Sequence, residues 1–265
     1  MPFVARDGAR IHWSSHGTGE PVVLVMGLGC SSEMWFRVAP QLAEHRRVIL
    51  MDNRGSGRTE VQHFVVHRVP HMAADLAAVL DAAGEASAHV VGFSMGGMIA
   101  QQFALDFPRR VRSLALLGTH SGGPWVVQAA PEVRQLLFDK ARMSAEQSLR
   151  AMRPHTYASA TPDARFDEDA QVRLAHLPSL RDYQAQLMAL IGWSVDRELP
   201  RIDCPTLVMH GLQDRLILPV NARRTAGRIA GARLLELPDA SHWLMTDQTA
   251  QVLDALRTHI DEHPP

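Results

Sequence analysis

The chain reads as an α/β protein, a mostly parallel β-sheet flanked by helices and interrupted once by a helical insertion. Three observations predict this. Short β-branched apolar runs alternate with amphipathic helical patterns along the first 117 residues and again after residue 205. One run, Pro21-Val22-Val23-Leu24-Val25-Met26, is apolar without alternation, as a parallel strand covered on both faces should be. From about His120 to Arg197 the strand signal stops and only helical patterns remain.

Taken in order, Arg10-Ile11-His12-Trp13 is the opening strand and Gly17-Thr18-Gly19-Glu20-Pro21 a turn. The Pro21–Met26 strand ends in the loop Gly27-Leu28-Gly29-Cys30-Ser31-Ser32, which feeds a short helix carrying Trp35, Val38 and Leu42. Arg47–Met51 is the next strand, stopped by the glycine turn Asp52-Asn53-Arg54-Gly55-Ser56-Gly57-Arg58. Met72, Leu76, Val79 and Leu80 then line one face of a helix with Pro70 in its first turn. Ala88-His89-Val90-Val91 is a buried strand, and Met98, Ile99, Phe103 and Phe107 recur at helical spacing after it. Ser113–Leu117 closes the first series.

In the strand-free stretch, Leu180, Tyr183, Leu187 and Leu190 share a helical face, and Pro131, Pro154, Pro162 and Pro178 punctuate the segment. The expected organisation is therefore a core of residues 1–119 and 198–265 with a helical cap over 120–197. Sheet logic resumes with Pro205–His210, a helix near Val220–Ile229, the strand Ala232–Leu237, and a final helix from Trp243 or Thr249 to Ile260.

Composition narrows the function. The 265 residues are 46% hydrophobic and 21% charged, with 27 basic and 28 acidic side chains and a net charge of −1. No basic face is implied, so nucleic acid is not an expected partner. The two cysteines, Cys30 and Cys204, form no disulfide framework and suit a reducing, cytoplasmic compartment. The first residues lack a basic start followed by an apolar run, so no signal peptide is expected. No uncharged apolar run is long enough to span a membrane, so no membrane partner is expected.

The chemistry centres on Gly92-Phe93-Ser94-Met95-Gly96, a Gly-x-Ser-x-Gly sequence between a strand and a helix. Such a junction forces the serine into a strained turn with its hydroxyl exposed, and a mere helix cap would need neither glycine. A serine hydroxyl is a weak nucleophile and needs a base, itself oriented by a third group. Catalytic groups in open parallel sheets gather at the carboxyl ends of the strands. There, Asp214 follows the Pro205–His210 strand and His242 follows Ala232–Leu237, giving the chain order Ser, Asp, His. Asp239 sits three residues before His242 on one loop and is assigned to shaping it, while Asp247 is expected on or near the last helix. The oxyanion formed on attack needs two backbone N–H groups, expected from Met95 and from Leu28.

The blocks Val25-Met26-Gly27-Leu28-Gly29, Met51–Arg58, Gly92–Gly97, Pro205–Gly211 with Asp214, and Ser241-His242 resemble the α/β-hydrolases. Within them the chain looks like the esterase, lactonase, proline-iminopeptidase and cofactor-free perhydrolase group, and most like the anthracycline methyl-esterases. The resemblance implies a cofactor-free serine hydrolase acting through an acyl-enzyme on a small-molecule ester or lactone. Its alternatives are a C–C bond hydrolase, a haloperoxidase-type perhydrolase, and a homologue that binds a ligand without turnover. Haloalkane dehalogenases of this fold carry Asp where this chain has Ser94, so that chemistry is disfavoured.

Other features carry less. His63, His67 and His71 are spaced four apart, but Pro70 interrupts any helix through them, and a solvated stretch is expected in place of a metal site. Cys30 is read as a small lining residue. Trp35, Trp193 and Trp243 are the candidates for the walls of an apolar pocket.

Overall fold

A computed structural model describes residues 2–62 and 67–264 of the chain. Among the described residues nine strands form one sheet: β1 (Phe3–Arg6), β2 (Ala9–His16), β3 (Pro21–Val25), β4 (Arg47–Met51), β5 (Glu60–Val61), β6 (Ala88–Phe93), β7 (Val111–Leu117), β8 (Thr206–Gly211) and β9 (Arg233–Leu237). The spatial order is β1-β2-β4-β3-β6-β7-β8-β9, with β5 paired to β2 off this path. From β4 to β9 all pairs are parallel, while β2 runs antiparallel to β4 and to β1. The sequence reading missed β1, a four-residue edge strand whose one strand partner is β2 among the described residues.

Chain direction across the sheet reverses at β3, which has β4 on one side and β6 on the other. The loops leaving β3 and β6 therefore diverge around an open crevice, the place where such sheets build a site. Every residue of β3 and of β6 is buried, which explains the unbroken apolar run of β3 and leaves His89 the one polar side chain of β6. One core cluster joins the sheet to α2 (Val69–Ala82) and α3 (Met95–Asp106). The other packs α1 (Ala39–Ala43) and the C-terminal helices against the opposite face.

Between β7 and β8 the described residues contain no strand, only one isolated bridge between Gly122 and Ser194. Four helices occupy the segment: α4 (Pro131–Phe138), α5 (Ala145–Thr156), α6 (Asp163–Ala175) and α7 (Leu180–Leu190). Proline starts α4 and precedes α6, but Pro154 lies inside α5 near its end. Tyr183 and Leu187 are buried on α7, whereas Leu180, read as sharing their face, is 46% exposed. The core then resumes with β8, α8 (Pro219–Arg228), β9, α9 (Leu244–Asp247) and α10 (Thr249–Asp261).

Candidate active site

Ser94 sits between β6 and α3 with φ +55° and ψ −118°, a conformation costly to any residue with a side chain. The surroundings hold it there. Its N–H donates to Leu117 O at 2.8 Å and its carbonyl accepts from Thr119 Oγ1 at 2.8 Å. A Cβ on Gly96 would stand 2.0 Å from Val25 O, so only glycine lets α3 start this close to β3.

One imidazole joins two elements of the site. His242 Nε2 lies 3.1 Å from Ser94 Oγ, and His242 Nδ1 lies 2.8 Å from Asp214 Oδ2. Asp214 Oδ1 accepts from the backbone N–H groups of Leu216 (2.8 Å) and Ile217 (2.9 Å), while His210 Nε2 approaches Oδ2 at 3.3 Å. Burial alone would raise the Asp214 pKa. The His242 and His210 rings outweigh it, and the carboxyl is held down at about 2. It is thus an anion facing Nδ1, which places the ring proton there and leaves Nε2 free to accept from Ser94.

Leu28 and Met95 border the same cavity as Ser94. Gly29 N–H donates to Gln186 Oε1 of α7 at 2.8 Å, and Gln186 Nε2 reaches Arg54 O and Ser56 Oγ. Gln186 therefore clamps the Leu28 loop against the turn after β4. The His242 loop has its own brace. Ser241 N–H donates to Asp247 Oδ2 (2.7 Å), and Asp247 also holds Ala158 N–H and Thr161 Oγ1. Asp239, by contrast, is exposed. Neither Gln186 nor Asp247 stands in a motif, so the sequence offered no signal for them.

The cavity measures 390 Å³, within the range of small-molecule sites. Of the three tryptophans expected at its walls, only Trp243 lines it, packed between Phe93 (centroids 4.9 Å) and Tyr157 (6.1 Å). Trp35 is fully buried in the core, because its short 3₁₀ turn faces the sheet. Trp193 donates from Nε1 to Gln102 on α3 and borders a separate groove with Val69 and Met188. Cys30 does line the cavity.

Arg173 and His120 are among the polar residues of the cavity that escaped the sequence reading. Arg173 of α6 lies over the Trp243 ring at 5.0 Å and forms no ion pair with any described residue. His120, on the loop after β7, also faces the cavity. Of the three spaced histidines, His63 lies outside the described residues. His67 is buried, not solvated as expected, because it packs under the Gly55 turn. Among the described residues no group of three or more His, Cys, Asp or Glu could hold a metal. No helix among them is long and apolar enough to cross a membrane.

Comparison with known proteins bears on the family and the fold. The sequence model of a family described as alpha/beta hydrolase fold matches residues 20–249. A protein of Variovorax paradoxus, provisionally named a carbamate hydrolase (RutD), is 31% identical over 247 residues, covering 88% of this chain and 89% of its own. The 2-hydroxy-6-oxo-2,4-heptadienoate hydrolase of Pseudomonas putida is 30% identical over 263 residues, covering 93% and 91%. An esterase structure from Exiguobacterium antarcticum superposes with a TM-score of 0.87 at 25% identity over 98% of both chains.

Proposed function

Because the chain belongs to the alpha/beta hydrolase fold family, we propose that it is a serine hydrolase that cleaves a small carboxylic ester or lactone through an acyl-enzyme. One observation carries the reading: a single imidazole, His242, stands within hydrogen-bond reach of both Ser94 Oγ and Asp214. Ser94 Oγ attacks the acyl carbon as His242 Nε2 takes its proton. Asp214 holds the ring by Nδ1 and stabilises the imidazolium. The Leu28 and Met95 amides receive the oxyanion. Collapse expels the alcohol, which takes the proton from His242, and water then repeats the sequence to release the acid and regenerate Ser94. A role in ligand binding alone would leave this chain of three groups, and the strain stored at Ser94, without a purpose.

Residues 120–197 act as the cap in this reading, since α4, α5 and α7 contribute Leu137, Leu149 and Leu187 to the cavity wall. A second reading, C–C bond cleavage in an acidic ketone, is favoured by Arg173. A cavity-facing guanidinium that makes no ion pair among the described residues suits a substrate that brings its own carboxylate. The Pseudomonas putida relative is named for a carboxylate substrate of that type.

The test is a panel of p-nitrophenyl esters, lactones and vinylogous 1,5-diketo acids with the wild-type protein and Ser94→Ala. Loss of the nucleophile should lower kcat on the order of a million-fold while circular dichroism stays unchanged. Retention of a tenth of the activity by the alanine variant would overturn the assignment. The best substrate in the panel separates the two readings.

A further inference from the structure

We propose that His120 is a specificity-determining residue: its Nε2–H donates a hydrogen bond to an acceptor oxygen carried by the leaving group of the substrate. The inference rests on the ester-hydrolase reading and deepens it, by naming the chemistry of the departing alcohol.

The sheet order sets the side. Ser94 ends β6, Leu28 follows β3 on one flank, and His120 follows β7 on the other. The acyl oxygen belongs to the Leu28 flank. Asp214, which orients His242, comes from the loop after β8, beyond β7 on the opposite flank. The leaving group must lie where His242 can protonate it, so His120 borders that end of the substrate.

The ring is held in one state. Gly122 N–H donates to His120 Nδ1 at 3.0 Å, so Nδ1 is the acceptor and the proton resides on Nε2. The His120 carbonyl accepts from Gln101 Nε2 at 3.1 Å, which fixes the backbone. Gly122 is pinned in turn: φ is +72°, and a Cβ there would stand 2.2 Å from Trp193 O. No described residue accepts from Nε2, and the ring borders the cavity shared by Ser94 and His242. Burial, followed by the neighbouring His210 and His242 rings, pushes the His120 pKa down to about 4, so the donor is neutral at working pH. A neutral donor of fixed direction discriminates by what it leaves unpaired: a substrate lacking the acceptor buries the N–H without a partner.

Two esters of one acid test this, the 2-methoxyethyl and the n-butyl butanoates, whose alcohols match in length and differ by one ether oxygen. The common acyl group gives both esters the same acyl-enzyme, and kcat/KM reports only the steps through acylation. His120→Asn keeps an oxygen near the Nδ1 position for Gly122 and removes the Nε2 donor, while His120→Gln carries an amide N–H towards the Nε2 position. The ratio of methoxyethyl to butyl kcat/KM should fall about fivefold in the Asn variant, the size of one net hydrogen bond, and recover in the Gln variant. A ratio unchanged in the Asn variant, or both substrates losing activity in parallel, would overturn the inference and leave His120 a loop brace. Absence of turnover of either ester by the wild type would instead remove the ester-hydrolase reading beneath it.

Discussion

Asp214→Asn is the sharpest test of how the site works, because the amide must choose between two sets of partners. The carboxylate is buried and accepts at both oxygens: Leu216 and Ile217 N–H at Oδ1 and His242 Nδ1 at Oδ2, with His210 Nε2 standing 3.3 Å from Oδ2. His210 Nε2 also donates to Ile217 O at 2.7 Å, so its proton is fixed. If the asparagine oxygen stays with Leu216 and Ile217, its NH₂ faces one fixed donor, His210, and one ring nitrogen, His242 Nδ1, that can switch to accepting. In the flipped orientation the NH₂ opposes two backbone donors that cannot switch. The first orientation wins, since each buried donor left unpaired costs about 1–3 kcal/mol. It puts the His242 proton on Nε2, where it opposes Ser94. The expected loss in kcat is about 10⁴-fold, or about 5 kcal/mol in the barrier. The assay is kcat for a p-nitrophenyl ester in Asp214→Asn beside Asp239→Asn, whose exposed side chain should be dispensable. A kcat in Asp214→Asn within tenfold of wild type, or a larger loss in Asp239→Asn, would refute the reasoning.

Further outcomes follow from the same geometry. Arg173→Met should lower kcat/KM for a monoester of a dicarboxylic acid by roughly 10–100-fold relative to its neutral methyl diester, as expected for a hydrogen bond to charge; equal losses on both would mean the cation serves α6 packing. Trp243→Ala should reorder an acyl-length series, whereas Trp193→Ala should lower Tm and leave the order intact, because its ring lies in another groove. A reordered series in Trp193→Ala would show that the cavity extends beyond the walls described. His89 and His259 are each pushed from 6.5 down to about 4, chiefly by burial. The unfolded chain therefore takes up protons first, so stability is whole above about pH 6.5 and declines as pH falls towards about 4. Tm measured across that window should drop, less steeply in His89→Gln; identical slopes would exclude His89 as a source.

The three residues joined by His242 were legible because each is tied to a local pattern. Ser94 stands in its glycine frame, and Asp214 and His242 follow strands recognisable by their own apolar runs. The cavity wall was not. Arg173 looks like any charged residue on an amphipathic helix, and its place above Trp243 depends on how α6 packs against a loop far along the chain. Trp193 and Trp35 misled for the same reason in reverse. A large aromatic near a loop can face the core or the cavity, and helical periodicity does not say which neighbour covers it. The four-residue strand β1 was missed because an edge hairpin needs no long apolar run.

The helices of the 120–197 segment also do more than a removable roof would. Gln186 of α7 holds the Gly29 amide next to Leu28, so one expected oxyanion donor is aimed from the cap. Asp247 joins the Ser241 amide, beside His242, to Ala158 and Thr161 between α5 and α6. Trp243 N–H donates to Thr156 O of α5 at 2.9 Å, and Arg215 N–H, beside Asp214, donates to His155 O at 3.1 Å. The loops carrying Leu28, His242 and Asp214 are thus each tied to the cap by a backbone N–H or its neighbour. These are buried or half-buried bonds whose loss leaves backbone donors unpaired, so the loops cannot relax freely without the helices. In the proposed reading, substrate selection and positioning of the reacting groups therefore share one set of contacts. Changes in the cap that alter the cavity should be tolerated at Leu137, Leu149 or Leu187, and not at Gln186 or Thr161, whose side chains make these bonds.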